Sequence, residues 1–347
     1  KILLHERRSA DIAPTKRPEG LSAPRTGTSK SSRVGPDNIS SADSISTADN
    51  ISGAEATLAS FSYEYAGPPP DEPIISVCLP VHNAEKTIAR VLEGLMGQTL
   101  SNIEILIADD QSDDNTVEIV SHYAAHDARI IPWINEECVG AVANYNECLM
   151  RARGQFIKLL SQDAWLHPQC LEQMLTVLEQ DPSVSLLLSA SDEVPLPDWC
   201  VIGKNSAKTT LMKTAQEGLI PLNKMCDSPS RVFFRADDIG KGFDVRLHFF
   251  APVDYCLRIL AKGDLYVMQS NLVEGASLEN DLRRSNGYFV ELAMEAICMA
   301  NNSRELLSQA GFSIEHFIDK VLLGLGGELF GVASVGAEDD LDSALRA

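Results

Sequence analysis

Hydrophobic residues follow two alternating periodicities from Ile74 onward. Short apolar runs typical of buried strands are followed by stretches of about 10 to 15 residues with apolar positions at helical spacing. The strands are predicted in "IISVCLPV", "IEILIADD", "ARIIPWIN", "QFIKLLSQD" and "SVSLLLSAS", and a helical pattern follows each of the first four. This alternation predicts βαβ units, and hence an α/β fold with a mainly parallel sheet flanked by helices.

The pattern divides the chain into three parts. Residues 1–72 are rich in Ser, Ala, Thr, Asp and Pro and show no sustained period, which predicts a disordered, low-complexity tail. Residues 73–275 hold the alternating elements and predict one α/β domain, whose second half is a strand, a loop, a short helix near 252–262 and a further strand. Residues 276–347 are predicted to be a C-terminal helical extension.

Composition and charge narrow the classes of function. The apolar fraction of 44% is ordinary for a soluble globular protein, and no apolar run approaches the roughly 20 residues that span a bilayer. The net charge of −20 argues against a nucleic-acid-binding surface, and an anionic ligand would need local dipoles or a metal ion. The eight cysteines form no C-x2-C pair, which favours reduced thiols in a cytoplasmic protein. The chain begins at Lys1 without a methionine, so the true N-terminus stays open.

Polar residues follow the first two predicted strands, at the sheet edge where open α/β folds bind ligands. In "LPVHNAEK", the turn after Pro80 holds His82 and Asn83, which form either a shelf for a nucleobase or a simple loop with Asn83 as helix N-cap. In "IADDQSDDNT", the carboxylates could hydrogen-bond a base and a ribose, or form an Asx-turn. We expect Asp113 and Asp114 to serve the turn alone.

Two further stretches carry candidate chemistry. In "LLSQDAWLHP", Asp163 stands beside one glutamine and one serine, a poor metal cage unless substrate phosphates supply the other ligands of Mg²⁺ or Mn²⁺. Asp163 could instead cap the helix predicted near Pro168. In "FFAPVDYCLRILAKGD", the spacing of Asp254 and Arg258 favours an i,i+4 ion pair over a general base facing the site.

Taken in order, these stretches resemble the family 2 glycosyltransferases of the GT-A fold over roughly residues 73–270. The resemblance implies a Rossmann-like α/β fold with a mixed, mainly parallel sheet. The motifs are "ISVCLPVHNAEKTI", "GQTLSNIEILIADDQSDDNT", "VGAVANYNECLMRARGQFIKLLSQDAWLHP" and "VDYCLRILAKGDLY". By this resemblance, the nucleotide-binding positions fall on Pro80, His82, Asn83, Asp110 and Gln162. The resemblance also implies that Asp163 is the metal ligand and that Asp254 is the catalytic base.

The same resemblance implies an inverting glycosyltransferase that depends on Mn²⁺ or Mg²⁺. Its donor would be a nucleotide diphosphate sugar, a UDP-sugar by expectation, and its acceptor a hydroxyl of a carbohydrate, lipid-linked or protein partner. We expect it in the cytoplasm, with peripheral association with the inner face of the membrane left open.

Three residues depart from the family pattern and support an alternative. Gln162 stands where the family usually has an aspartate, Ala164 where a further aspartate is frequent, and Val253 where a glutamate precedes the base. All three changes remove negative charge, so a catalytically inactive, nucleotide-sugar-binding GT-A scaffold is the competing interpretation. A nicotinamide-dependent oxidoreductase is disfavoured because no glycine-rich motif follows the first strand.

Overall fold

A computed structural model shows the fold of the chain. It describes residues 72–190, 196–217, 222, 225–226, 228–269, 272–274, 288–309, 311 and 313–330. The predicted tail lies outside the described residues except for Glu72, and so do residues 275–287 and 331–347.

The first half follows the predicted alternation of strands and helices. Its elements are β1 (Ile75–Val81), α1 (Ile88–Met96), β2 (Ile103–Asp109), α2 (Thr116–His126), β3 (Ile130–Ile134), α3 (Ala141–Arg151), β4 (Phe156–Leu159), β5 (Trp165–Leu166), α4 (Cys170–Gln180) and β6 (Val184–Ser189). All five predicted strands and the four helices between them are confirmed. The two-residue strand β5 was not predicted, because a run of that length carries no period.

The second half is less regular, as its sequence indicates. Its elements are β7 (Gly203–Asn205), α5 (Ala207–Glu217), β8 (Val232–Arg235), α6 (Ala251–Leu260), β9 (Asp264–Met268), β10 (Val273–Glu274), α7 (Tyr288–Asn302), α8 (Arg304–Gln309) and α9 (Ile314–Phe330). The predicted strand, loop, helix and strand correspond to β8, the following loop, α6 and β9. Helix α5 was not predicted, because its pattern of apolar positions is weak.

Eight strands form one sheet in the order β3-β2-β1-β4-β8-β6-β9-β7. Strand β8 runs antiparallel to its neighbours β4 and β6, and β7 runs antiparallel to β9, whereas the other neighbouring pairs are parallel. Strands β5 and β10 pair with each other as a separate antiparallel ribbon. The prediction of a mixed, mainly parallel sheet is therefore confirmed.

Helices cover both faces of this sheet because its central strands are apolar at every second position on each side. Strands β1 and β2 are buried along their whole length. Val77 and Leu79 join the core beneath α1 and α4, whereas Cys78 between them joins the core beneath α3, α6 and α7. Each fully buried aliphatic side chain contributes roughly 1.5–3 kcal/mol by leaving water. The sheet is thus a rigid platform for the loops at its carboxyl edge.

No helix within the described residues is long and apolar enough to cross a bilayer.

Candidate active site

A cavity of about 730 Å³ opens at the carboxyl ends of β1, β2 and β4, the edge at which the sequence predicts a ligand. Its size is within the range of small-molecule sites. The first half of the chain contributes the predicted residues Pro80, His82, Asn83, Asp110, Gln162 and Asp163 to its lining. The second half contributes Pro229, Phe243, His248, Ala251 and Pro252. Asp254 does not line it.

Gln162 joins the turn after β1 to the loop after β4. Its amide oxygen accepts the main-chain N–H of His82 at 2.8 Å, and its amide nitrogen donates to the carbonyl oxygen of the same residue at 3.1 Å. A carboxylate can accept the first of these hydrogen bonds but cannot donate the second. This pair of hydrogen bonds therefore explains why an amide stands at this position in place of a carboxylate. The sequence alone did not show this reason.

The His82 ring is held in a defined tautomer. Its Nδ1 lies 2.8 Å from the carbonyl oxygen of Asp110, and because a carbonyl can only accept, Nδ1 carries the proton. In the neutral ring the other nitrogen, Nε2, is then an acceptor, and it lies 3.4 Å from the side-chain nitrogen of Asn83. The ring is exposed, so one polar edge is fixed to the protein while the ring remains on the cavity wall.

Asn83 belongs to the turn and is not the N-cap of α1, which begins five residues later at Ile88. Its backbone takes the left-handed conformation, with φ of 51°. The main-chain N–H of Asn83 donates to Ser112 Oγ, and its side-chain oxygen accepts the N–H of Asp113. These bonds tie the turn after β1 to the turn after β2, so the N-cap interpretation of Asn83 is corrected.

The turn after β2 has the Asx geometry expected of it. Asp109 accepts hydrogen bonds from the main chain and the hydroxyl of Ser112. Asp114 accepts from the main-chain N–H of Thr116 and from that of Glu85, as expected of a residue that serves the turn.

Asp110 lies at the cavity wall with its acceptor positions filled by the protein. One carboxylate oxygen accepts from Asn135 Nδ2 at 3.0 Å and from the Val139 N–H at 2.8 Å, and the other accepts from the Gly140 N–H at 2.8 Å and Cys138 Sγ at 3.4 Å. Burial by itself would raise the pKa of Asp110, but these hydrogen bonds outweigh it and lower the pKa. In this structure the carboxylate holds the 138–140 loop in place, which is a different contact from the base edge that the resemblance implies.

Asp163 is exposed in the loop after β4. Its Oδ1 accepts from the Ser161 hydroxyl at 2.7 Å, whereas Oδ2 accepts no hydrogen bond from another described residue. Helix α4 has Gln169 at its N-cap position with no side-chain hydrogen bond there, so Asp163 does not cap it.

The donor set at Asp163 fits a divalent ion that takes most of its ligands from a substrate. Within the described residues no group of three His, Cys, Asp or Glu side chains is placed to hold a metal. A single carboxylate oxygen suits Mg²⁺ or Mn²⁺ when phosphate oxygens and water complete the coordination.

Asp254 is placed differently from the expectation that it faces the site. Its side chain is fully buried, its Oδ2 accepts from Arg258 Nε at 2.9 Å, and its Oδ1 accepts from Asn302 Nδ2 at 3.1 Å. Burial raises the pKa of Asp254, and the Arg258 guanidinium opposes that rise. The position one turn before Arg258 explains this placement, since i,i+4 side chains meet on one helix face. The residues of α6 that do reach the cavity are Ala251 and Pro252.

The segment before α6, residues 242–250, is fixed at both ends and carries His248 to the cavity. At one end Asn146 of α3 accepts the Phe243 N–H at 2.7 Å and donates to its carbonyl at 3.0 Å. At the other end the Glu295 carboxylate of α7 accepts the N–H groups of His248, Phe249 and Phe250 at 2.9–3.0 Å.

Sequence reasoning missed His248, Lys86 and Cys138, all of which line the cavity. Lys86 lies in the quoted turn and could have been found there as a cation near a strand end. His248 and Cys138 stand in loops without a recognisable motif, so no local signal marks them.

A sequence profile of glycosyl transferase family 2 matches residues 76–239. Two enzymes of Escherichia coli named UDP-Glc:alpha-D-GlcNAc-diphosphoundecaprenol beta-1,3-glucosyltransferase are similar over part of the chain. WfgD is 35% identical over 114 residues, 33% of this chain and 44% of its own, and WfaP is 35% identical over 102 residues, 29% of this chain and 40% of its own. The chain thus matches less than half of the length of each.

The solved structure of S. aureus TarS 1-349 matches 75% of this chain and 93% of its own, with 16% sequence identity and a TM-score of 0.50. At that identity the likeness shows the fold, which is of the GT-A type. The family profile covers β1 to the residues after β8, and therefore all of the strand ends that build the first-half wall of the cavity. Residues 76–239 of this chain are therefore similar to glycosyl transferase family 2.

Proposed function

We propose that this chain transfers a sugar from a UDP-sugar to an acceptor hydroxyl with inversion at the anomeric carbon. The observation that carries the proposal is the cavity at the carboxyl edge of the sheet. The turn after β1 and the carboxylate of Asp163 both line this cavity. The match to the family profile supports glycosyl transfer, and the names of WfgD and WfaP support a UDP-linked donor.

The nucleotide is proposed to lie against the turn after β1. Pro80, His82 and Asn83 form this part of the wall, and Gln162 holds its main chain. The flat, exposed ring of His82 offers a surface on which a base can stack, which alanine-substitution data on other proteins put at roughly 1–3 kcal/mol per base. Asp110 would act by fixing the 138–140 loop as the adjoining wall.

The diphosphate is proposed to lie beside Asp163, with Lys86 at the rim as a nearby cation. Asp163 would hold Mn²⁺ or Mg²⁺ together with the phosphate oxygens. When bound, such an ion offsets the negative charge that develops on a departing diphosphate. A metal ion at this position would also allow a chain with a net charge of −20 to bind an anionic diphosphate.

The second half of the chain is proposed to receive the acceptor. Pro229, Phe243, Ala251 and Pro252 give this wall an apolar character, which suits the non-reacting face of a sugar ring. WfgD and WfaP are named for an acceptor linked to diphosphoundecaprenol, so a lipid-linked saccharide is the acceptor that the relatives favour.

A nucleotide-sugar-binding protein without turnover is the second candidate function. It is favoured by the absence of a carboxylate among the α6 residues that line the cavity, Ala251 and Pro252, and by the burial of Asp254. Both candidates require the donor to bind, and only the first requires its consumption.

The test is binding of UDP and UDP-glucose to the full chain, by calorimetry, with Mn²⁺ and with chelator. We expect Mn²⁺ to strengthen binding of both, and Asp163→Asn to weaken binding about tenfold or more, equal to about 1.4 kcal/mol. The matched control is Asp198→Asn, an exposed carboxylate that does not line the cavity. Unchanged affinity and metal dependence in Asp163→Asn would reject Asp163 as the ligand, and absence of UDP binding by the wild type would reject the proposed function.

A further inference from the structure

Among the described residues, the second-half wall of the cavity contains one side chain that can accept a proton. Of its five lining residues, Pro229, Phe243, Ala251 and Pro252 have no basic side-chain atom, and His248 has an imidazole. The His248 side chain is exposed, and its ring makes no hydrogen bond to another described residue. An imidazole in its neutral form on this wall is therefore available to a substrate.

The main chain at His248 is fixed, although its ring has no hydrogen-bond partner among the described residues. Glu295 is buried and accepts three consecutive N–H groups, those of His248, Phe249 and Phe250. Helix α6 begins at the next residue, and it has no side-chain cap at Phe250. Because charged acceptors make stronger hydrogen bonds than neutral ones, this contact from α7 holds the segment that carries His248.

The other candidate bases are bound by groups of the protein or lie on the donor side of the cavity in the proposed function. Both oxygens of Asp110 are filled by donors of the protein, and Asp254 is buried in its pair with Arg258. His82 belongs to the turn after β1, and its Nδ1 is bound to a main-chain carbonyl. In the proposed function, Asp163 is the carboxylate that would hold the metal ion beside the diphosphate.

We propose that His248 is the general base of the transfer, in the place that the resemblance gives to Asp254; this inference rests on the proposed function. The acceptor oxygen uses a lone pair to form a bond to the anomeric carbon. The bond from that carbon to the β-phosphate oxygen breaks, and its electron pair leaves with UDP. The proton of the acceptor hydroxyl goes to the basic nitrogen of His248, and the resulting imidazolium returns it to solvent after the products leave.

The experiment compares acceptors that need a base with one that does not. UDP-glucose and Mn²⁺ are incubated with the full chain and glycerol, water or azide, and UDP and glucosyl products are quantified. Glycerol and water must lose a proton as they attack, whereas azide is an anion and needs no base. The variants are His248→Ala and His248→Gln, and the matched control is His122→Ala, an exposed histidine on α2 that does not line the cavity.

We expect both His248 variants to lose about 10²–10⁴-fold in rate with glycerol and water. Their rate with azide should stay within about threefold of wild type by the same reasoning, since azide avoids the step that a base assists. Their affinity for UDP, measured by calorimetry, should not change, and His122→Ala should resemble the wild type throughout.

Three results would overturn the assignment of His248. The first is an unchanged rate with glycerol and water. The second is an equal loss with azide, which would show that His248 positions the sugar. The third is a wild type that binds UDP-glucose but forms no product with any of the three, because a general base requires turnover. Loss of UDP binding by the wild type itself would instead reject the proposed function.

Discussion

Two side-chain amides fix the main chain on opposite walls of the cavity. Gln162 pairs with both the N–H and the carbonyl of His82, and Asn146 does the same with Phe243. A primary amide has a donor and an acceptor in one plane, so it can replace a neighbouring strand for a single residue. The cavity is thus shaped by residues that need not touch a substrate.

Replacing Gln162 by glutamate tests the reciprocal contact. The carboxylate of Gln162→Glu would keep the hydrogen bond from the His82 N–H but would bring an anionic oxygen to the His82 carbonyl. We expect the free energy of unfolding to fall by about 0.5–1.5 kcal/mol, the usual worth of one hydrogen bond. UDP affinity should fall as well, because the turn after β1 loses a support. Chemical denaturation and calorimetry measure the two effects.

The control for this change is Gln173→Glu, which adds the same charge on an exposed face of α4. It should leave UDP affinity unchanged. If Gln162→Glu also leaves both stability and affinity unchanged, the reciprocal contact does not support the site.

Asp254 lies between two elements through one carboxylate. Arg258 donates to one oxygen and Asn302 of α7 to the other, while a second Arg258 nitrogen donates to the Gly242 carbonyl at 2.8 Å. The pair of Asp254 and Arg258 therefore joins α6, α7 and the start of the 242–250 segment.

We therefore expect Asp254→Asn to act on stability more than on chemistry. Removing one partner of a buried ion pair costs roughly 3–5 kcal/mol, and we expect less here because Arg258 is about a quarter exposed. UDP affinity should change little, and thermal denaturation should show a clear fall in melting temperature. A variant that melts like the wild type but has lost turnover with glycerol would return the base to Asp254.

The 242–250 segment depends on two helices that are far apart in sequence. Asn146 of α3 holds its beginning, Asn302 of α7 donates to Asp244 at 2.9 Å, and Glu295 of α7 holds its end. Helix α7 lies in the predicted C-terminal extension, residues 276–347. That extension therefore contributes directly to the wall that carries His248, and is more than an addition to the fold.

Gly242 gives the clearest test of this segment. Its backbone has φ of 72°, and a Cβ there would clash with Asn146 Oδ1. Gly242→Ala should therefore strain the backbone and displace the Asn146 contact. We expect a loss of at least about 1–3 kcal/mol in stability, the usual cost of the backbone conformation alone, with weaker turnover.

The control is Gly203→Ala, which has a positive φ of 108° but no atom within 4 Å of its Cβ. It should show the cost of the backbone without the steric contact. Equal destabilisation of the two variants would mean that the Asn146 contact has no separate importance.

At the scale of the whole molecule, the sheet and the first-half wall were predictable because they depend on local patterns. The apolar runs of β1, β2 and β4 mark the strands, and parallel pairing brings their ends to one edge. For Asp254 the sequence contains two conflicting indications. Its spacing from Arg258 predicted an ion pair, whereas the family resemblance implied a catalytic base at the site, so its placement could not be decided from the sequence. His248 was missed because its position depends on Glu295, 47 residues later in the sequence.

The acid stability of the whole fold follows from how its carboxylates are bound. Among the described residues, the pKa is lowered for Asp110, Asp114, Asp181, Asp244 and Glu315, and raised for Asp254. For Asp181 the ammonium of Lys204 lowers the pKa to about 2. A lowered pKa stabilises the fold above the value of the unfolded chain, about 3.9 for aspartate, and this contribution is lost as the pH falls through the folded value. Asp254 has the opposite sign.

We therefore expect the free energy of unfolding to fall steeply as the pH drops below about 4. Asp244 gives the specific test, because the Arg246 guanidinium beside it holds the pKa of that carboxyl well below its usual range, and Asn302 adds a hydrogen bond. Asp244→Asn should be less stable than the wild type at pH 7, and the difference should shrink as the pH falls and the wild-type carboxyl becomes neutral. Urea denaturation at a series of pH values measures it, with Asp198→Asn as the exposed control. A difference that stays constant from pH 7 into the acid range would mean that the charge of Asp244 does not stabilise the fold, leaving only the hydrogen bonds that asparagine can also accept.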